Sequence, residues 1–116
     1  MAGETQAIGG FLRKRITVDP DEQLVKGVRC ATNDSFFRGW QGQLYLTTKR
    51  LVWLPDLRQE PQVWHPGEIH DVARGGSQFL SSMTIQAGGH RFEFARLPFF
   101  PADDWVKAID EWVNLS

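Results

Sequence analysis

Residues 39–55 read GWQGQLYLTTKRLVWLP, two apolar runs separated by the four polar residues Thr47, Thr48, Lys49 and Arg50. In the first run Trp40, Leu44 and Leu46 fall on one face of an extended chain, and Gln41, Gln43, Tyr45 and Thr47 on the other. That period of two is the signature of a strand. The second run, Leu51-Val52-Trp53-Leu54, is branched and aromatic, which suits a pleated and partly buried surface. A short polar reversal between two such runs predicts an antiparallel hairpin.

The same reading extends in both directions. Upstream, Asp19-Pro20-Asp21 is a turn, and Leu24 to Ala31 carries Leu24, Val28 and Cys30 at even spacing, as a half-buried strand does. Asn33-Asp34-Ser35 marks the next turn, and Phe36 to Thr47 completes the first half of the hairpin. Downstream, Pro55-Asp56 and Glu60-Pro61 bracket a loop, and strands over Gln62–His65 and Ile69–Ala73 flank Pro66-Gly67. Gly75-Gly76-Ser77 reads as a flexible connection. Met83–Ala87 and His90–Phe94 flank Gly88-Gly89, a pair that supplies the positive φ angles of a two-residue hairpin turn. Seven short strands with turns at such intervals predict a small barrel or sandwich.

The pattern changes at Leu97-Pro98-Phe99-Phe100-Pro101. Pro101 suits the first turn of a helix, and Asp103 and Asp104 complement its positive end. Trp105, Ile109, Trp112 and Val113 stand at i, i+4, i+7 and i+8 and make one apolar stripe, with Asp103 and Lys107 paired on the outside. The helix is expected to dock across the sheets through its two indoles.

The chain's 116 residues are enough for one domain, here residues 19–116 preceded by an extension over 1–18. Thirteen Lys and Arg against fourteen Asp and Glu leave a formal charge of −1, which argues against wholesale binding to nucleic acid. Cys30 is the only cysteine, so an intramolecular disulfide is excluded and a reducing, cytoplasmic compartment fits. The opening residues lack the apolar stretch of a secretory signal, and no run reaches the roughly 20 apolar residues of a membrane span. Any membrane contact is therefore expected to be peripheral.

Leu24-Val25, Val28 and Cys30, then Gly42-Gln43-Leu44-Tyr45-Leu46-Thr47 and Arg50-Leu51-Val52-Trp53, together resemble the GRAM domains of the pleckstrin-homology (PH) superfamily. Pro66 with Glu68-Ile69, Arg91-Phe92-Glu93-Phe94 and the tryptophan-bearing helix continue the likeness over residues 20–115, with G-x-LYLT-x-x-RL its most specific part. His65 departs from it, standing where the family prefers an aliphatic residue, and the segment around Phe36–Trp40 looks longer than usual. The resemblance implies a mainly β, partly open PH-like barrel of about seven antiparallel strands in two near-orthogonal sheets, capped by a C-terminal helix. It also implies a noncatalytic module, without cofactor, that binds an anionic lipid headgroup or a protein or peptide partner.

Under that likeness the ligand rim comprises the loops at about 33–38, 55–61 and 87–91. It carries Arg38, Arg58 and Arg91 against Asp34, Asp56 and Glu60, so its charges cancel, unlike the crowded cations that a multiply charged headgroup demands. Phe36 and Phe37 with Arg38 read either as a wedge entering a headgroup region or as one core residue and one edge cover. Arg13, Lys14 and Arg15, between Phe11-Leu12 and Ile16, read either as a patch for an anionic surface or as a solvated stretch whose apolar neighbours pack on the barrel. A protein-docking module using sheet edges is the alternative to lipid binding. A small metal-dependent enzyme would have to use His65, Glu68 and His70, whose spacing matches no zinc pattern. Cys30 reads as a small core residue.

Overall fold

The computed structural model describes residues 7–32, 40–56, 60–76, 81–95 and 100–115. Seven antiparallel strands form one open sheet in the order β4-β3-β2-β1-β7-β6-β5. They are β1 (Leu24–Thr32), β2 (Trp40–Thr47), β3 (Leu51–Pro55), β4 (Gln62–Trp64), β5 (Ile69–Gly76), β6 (Ser81–Ala87) and β7 (His90–Ala95). Helix α1 (Gly10–Arg15) precedes them and α2 (Ala102–Asn114) follows. The fold is mainly β, a partly open barrel capped by its C-terminal helix, as expected. Rather than two separate sheets, the strands make one ladder, whose halves join, among the described residues, where Ala31 and Thr32 of β1 meet Ala95 and Phe94 of β7.

The hairpin of the opening stretch is β2–β3, in register from Gly42↔Pro55 to Leu46↔Leu51. Gly42 permits that register, because a Cβ there would lie 2.3 Å from the Leu54 carbonyl oxygen and 2.9 Å from Pro55 Cα. Gly88 and Gly89 have φ of 59° and 78°, the left-handed values that let β6 turn directly into β7. Gly75 and Gly76, expected in a flexible connection, instead extend β5 and pair with Ser82 and Ser81. Strand pairing satisfies their backbone groups, which an apolar-alternation reading does not detect.

Inside the barrel Leu44, Leu46, Leu51, Trp53, Ile85 and Phe94 are buried, and α2 closes it with Trp105, Ile109 and Trp112. Trp64 joins them, its ring 5.0 Å from that of Phe92 and 6.3 Å from that of Phe94. Cys30 is a core residue at 1% exposure. On the helix exterior Asp103 meets Arg74 of β5 at 3.6 Å, an ion pair between elements in place of the expected partnership with Lys107.

One part of the hairpin is not what polarity implies. Thr47, assigned by alternation to the solvent face, is fully buried, as is the side chain of Glu22. The Glu22 carboxylate accepts hydrogen bonds from Arg50 Nε at 2.9 Å and Nη2 at 3.0 Å, from Thr47 Oγ1 at 2.5 Å and from the Asp19 amide at 3.2 Å. Arg50 Nη2 also donates to the Thr17 carbonyl. Thr47 Oγ1 accepts the amides of Lys49 at 3.1 Å and Arg50 at 3.0 Å and so shapes the β2–β3 turn. The Thr48 amide donates to the Gln23 carbonyl at 2.8 Å. Lys49 covers the outside, 2.9 Å from Asp21 and 3.4 Å from Asp19. Residues 17–23 are thereby clamped to residues 47–50.

Burial pushes the Glu22 carboxyl up, but the hydrogen bonds from Arg50, Thr47 and the Asp19 backbone outweigh it and hold the group below its ordinary 4.5. A folded-state value below the unfolded one gives stability that is complete above 4.5 and lost as pH falls through the depressed value. Urea unfolding of Glu22→Ala, which leaves Arg50 without its partner, should therefore show a loss of about 3 kcal/mol near neutral pH. The Glu22→Gln variant should lose much of the acid-side decline in the urea midpoint that the native chain shows. Gly42→Ala forces backbone apart and should cost about 3 kcal/mol in the same assay. Gly27→Ala, whose Cβ would meet only the half-buried Tyr45 ring at 3.1 Å, should cost less.

Candidate functional site

Antiparallel pairing makes β1, β3 and β6 run in one sense, so they finish on the same side of the ladder at Thr32, Pro55 and Ala87. This is the sheet end to which the sequence assigned the ligand rim. Phe36, Phe37, Arg38 and Arg58 lie outside the described residues. Arg91 is exposed at the start of β7, opposite Gln86 and next to the Gly88-Gly89 turn.

At the end of β3 the chain assembles charges that the sequence reading kept apart. The β1–β2–β3 register places Arg29 beside Gln43 and Gln43 beside Leu54, which brings Arg29 near Asp56 just past the strand. Its guanidinium grips the Asp56 carboxylate with both terminal nitrogens, Nη1 to Oδ1 at 3.1 Å and Nη2 to Oδ2. The Asp56 amide donates to the Gln41 carbonyl at 2.9 Å, which fixes the carboxylate's base. From the other side Arg15 Nη1 donates to the Pro55 carbonyl at 3.3 Å. Part of the basic triplet and part of the rim thus meet at one place. Lys14 is exposed, and the backbone of Arg13 lies in the same helix.

Next to this cluster a shallow groove of about 430 Å³ follows β1, over the bare backbone of Gly27 and between Lys26, Arg29, Gln43 and Tyr45. Tyr45 donates its hydroxyl hydrogen bond to Gln43 Oε1, and partial burial raises its pKa above the ordinary 10.0. The groove is polar on its walls and open to solvent, which suits contact with a surface better than enclosure of a small molecule.

The histidine constellation is resolved differently. His65 and Glu68 bond to each other, with Glu68 Oε1 accepting the His65 amide at 2.8 Å and lying 2.9 Å from its Nδ1. This is a capping box on the single 3₁₀ turn Pro66–Glu68, and the His65 backbone bond, then its ring, hold the Glu68 carboxyl below its ordinary range. His70 is exposed at the start of β5. Among the described residues no three His, Cys, Asp or Glu side chains are grouped so as to hold a metal ion. Among them, too, no helix is long and apolar enough to cross a membrane.

Neither the Arg29–Asp56 pair, 27 positions apart, nor the Glu22–Arg50 pair is marked by local sequence. Only the strand register could have joined the first pair. For the second, the lone signal was the Arg of the T-x-x-R spacing at Thr47 and Arg50.

No protein-family model matches the chain, and no curated protein is similar to it. Among solved structures the chain is similar to the C-terminal domain of an unknown protein from Leishmania infantum, with a TM-score of 0.75 and 19% identity. The likeness covers 90% of this chain and 96% of that one. At this identity it shows a shared fold alone.

Since His65 and Glu68 satisfy each other, zinc titration should leave the thermal midpoint of the native chain and of a His65→Ala, His70→Ala double variant unchanged. A midpoint raised by zinc in the native chain and not in the variant would contradict that assignment.

Proposed function

We propose that the chain is a noncatalytic PH/GRAM-like binding module that works in the cytoplasm and docks peripherally on an anionic membrane through the sheet end formed by β1, β3 and β6. The observation that carries this reading is the seating of the basic segment at that end, where Arg15 reaches Pro55 beside the Arg29–Asp56 pair. Lys14 and Arg91 are exposed cations of the kind a headgroup surface attracts. The pairing of the carboxylates supports a binding role over a chemical one, because buried Glu22 and exposed Asp56 and Glu68 each have a structural partner.

A second reading is a protein-docking module without lipid binding. The bidentate Arg29–Asp56 pair favours it, since a cation already matched to a carboxylate has less attraction left for phosphate.

Flotation with phosphatidylserine-containing and neutral vesicles separates the two. The native chain should float with the anionic vesicles only, and Lys14→Gln and Arg91→Gln should each weaken binding about fivefold, as loss of one surface cation near such a membrane predicts. Asp56→Asn, which leaves Arg29 unneutralised, should strengthen it. A native chain that floats with neither kind of vesicle refutes the lipid reading and leaves the protein-docking one.

A further inference from the structure

Side chains of β3 are buried on both faces of the sheet. Leu51 and Trp53 enter the barrel, while Val52 and Leu54 point away from it yet are 0% and 1% exposed. The chain's own N-terminal segment covers them. Ile8 and Leu12 form with Val52 and Leu54 an apolar cluster separate from the barrel interior, bordered by Ile16, Val18, Leu24, Tyr45 and Val63. Leu12 projects from helix α1, while Ile8 precedes the helix and Ile16 is its extended C-cap residue, so apolar anchors stand before, within and after one short helical segment.

This cover does not hold its own shape. Helix α1 is six residues long, has no side-chain hydrogen bond at its N-cap and no acidic residue in its first turn. A helix that short is not stable alone in water, so the groove on β3 and β4 imposes its conformation. The cover is also bounded by a firm point. From Thr17 onward the chain is clamped by Arg50 and Glu22, which keeps residues 17–23 in place whatever residues 8–16 do.

We propose that residues 8–16 are a displaceable strap, an internal ligand seated in a groove on the outer face of β3 and β4 that receives a short amphipathic helix. The partner that the groove fits is a peptide of the strap's own form: one short helical segment with a central apolar anchor and an arginine at its end, flanked on each side by an apolar residue in extended chain. The strap supplies that pattern itself, with Ile8, Leu12 and Ile16 as anchors and Arg15 placed on the Pro55 carbonyl. The contact is autoinhibitory: the groove is open to a partner only when the strap is withdrawn. The surface is on the outer face of the sheet, and because the strap carries Lys14 and Arg15, withdrawing it also takes those cations from the β1–β3–β6 end.

The test uses the full chain carrying Leu12→Asp, which withdraws the strap, and a fluorescent peptide of residues 7–18 followed by anisotropy. The peptide should bind the variant saturably. It should bind the native chain more weakly by about a hundredfold, because a tethered occupant competes at high effective concentration. A peptide carrying the same Leu12→Asp change should not bind. Absence of peptide binding to a variant that retains native circular dichroism and cooperative unfolding overturns the proposal. Hydrogen exchange on the native chain tests the same claim without a variant. Amides of residues 10–16 should exchange through a separate opening faster than those of β2 and β3, and equal protection of the two sets refutes a separable strap.

Discussion

A buried carboxylate sets the geometry of the first half of this molecule. Glu22 has no exposed side-chain surface, and both its oxygens are taken up by Arg50, Thr47 and the Asp19 amide. Removing an ion pair from water costs several kcal/mol for each ion, which a single Coulomb contact does not recover. The site offsets that cost because the guanidinium binds through two nitrogens and the remaining acceptor positions receive neutral donors. Such an arrangement is intolerant of displacement. It fixes the turn before β1 against the turn between β2 and β3, and the direction in which the N-terminal segment leaves follows from it.

That direction matters because β3 lies under cover on both sides. An antiparallel sheet commonly has one face on a core and one in water, and strands then alternate in polarity. Leu51-Val52-Trp53-Leu54 does not alternate; every residue of the strand is buried. The inward pair fills the barrel and the outward pair is covered by Ile8 and Leu12. Without that cover, Val52 and Leu54 would form an apolar patch beside Val63 and Tyr45, the kind of exposed surface that soluble proteins keep small or use for binding. The N-terminal segment is therefore part of the folded unit, although its cluster is distinct from the main core.

Much of the architecture was legible in the residues because it rests on local chemistry. Alternation marked β2, the run of branched and aromatic residues marked β3, Gly88-Gly89 marked the tightest turn, and the stripe from Trp105 to Trp112 marked the closing helix. What escaped was non-local. Nothing near Glu22 in sequence distinguishes it from Asp19 or Asp21, which are exposed, since only the β2–β3 turn brought against it makes it a buried acid. Thr47 was assigned to solvent by alternation and is buried for the same reason. Helix α1 escaped because six residues carry too little periodicity to be read and owe their helicity to the sheet beneath them. Of the candidate site, the side of the ladder was legible through the order of the strands. The pairing of Arg29 with Asp56 was not, since it needs the register of three strands at once.

The charge arrangement at that sheet end bears on what the fold can be used for. A rim that gathers unpaired cations holds a multiply charged ligand through many direct bonds, and its selectivity resides in the scaffold. Here the strand register brings Arg29 directly to a carboxylate and the seating of α1 brings Arg15 to a carbonyl, so two cations near the end of β3 are engaged before any ligand arrives. Among the described residues, an anion approaching this surface would compete with Asp56 for Arg29 or meet exposed cations such as Lys14 and Arg91. Competition with a bidentate carboxylate is costly, whereas attraction by exposed cations is weak, additive and screened by salt. The geometry therefore suits contact spread over a broad surface more than capture of a single headgroup. For such a contact, small changes of charge, such as loss of the Asp56 carboxylate, would alter binding more than changes in the barrel beneath.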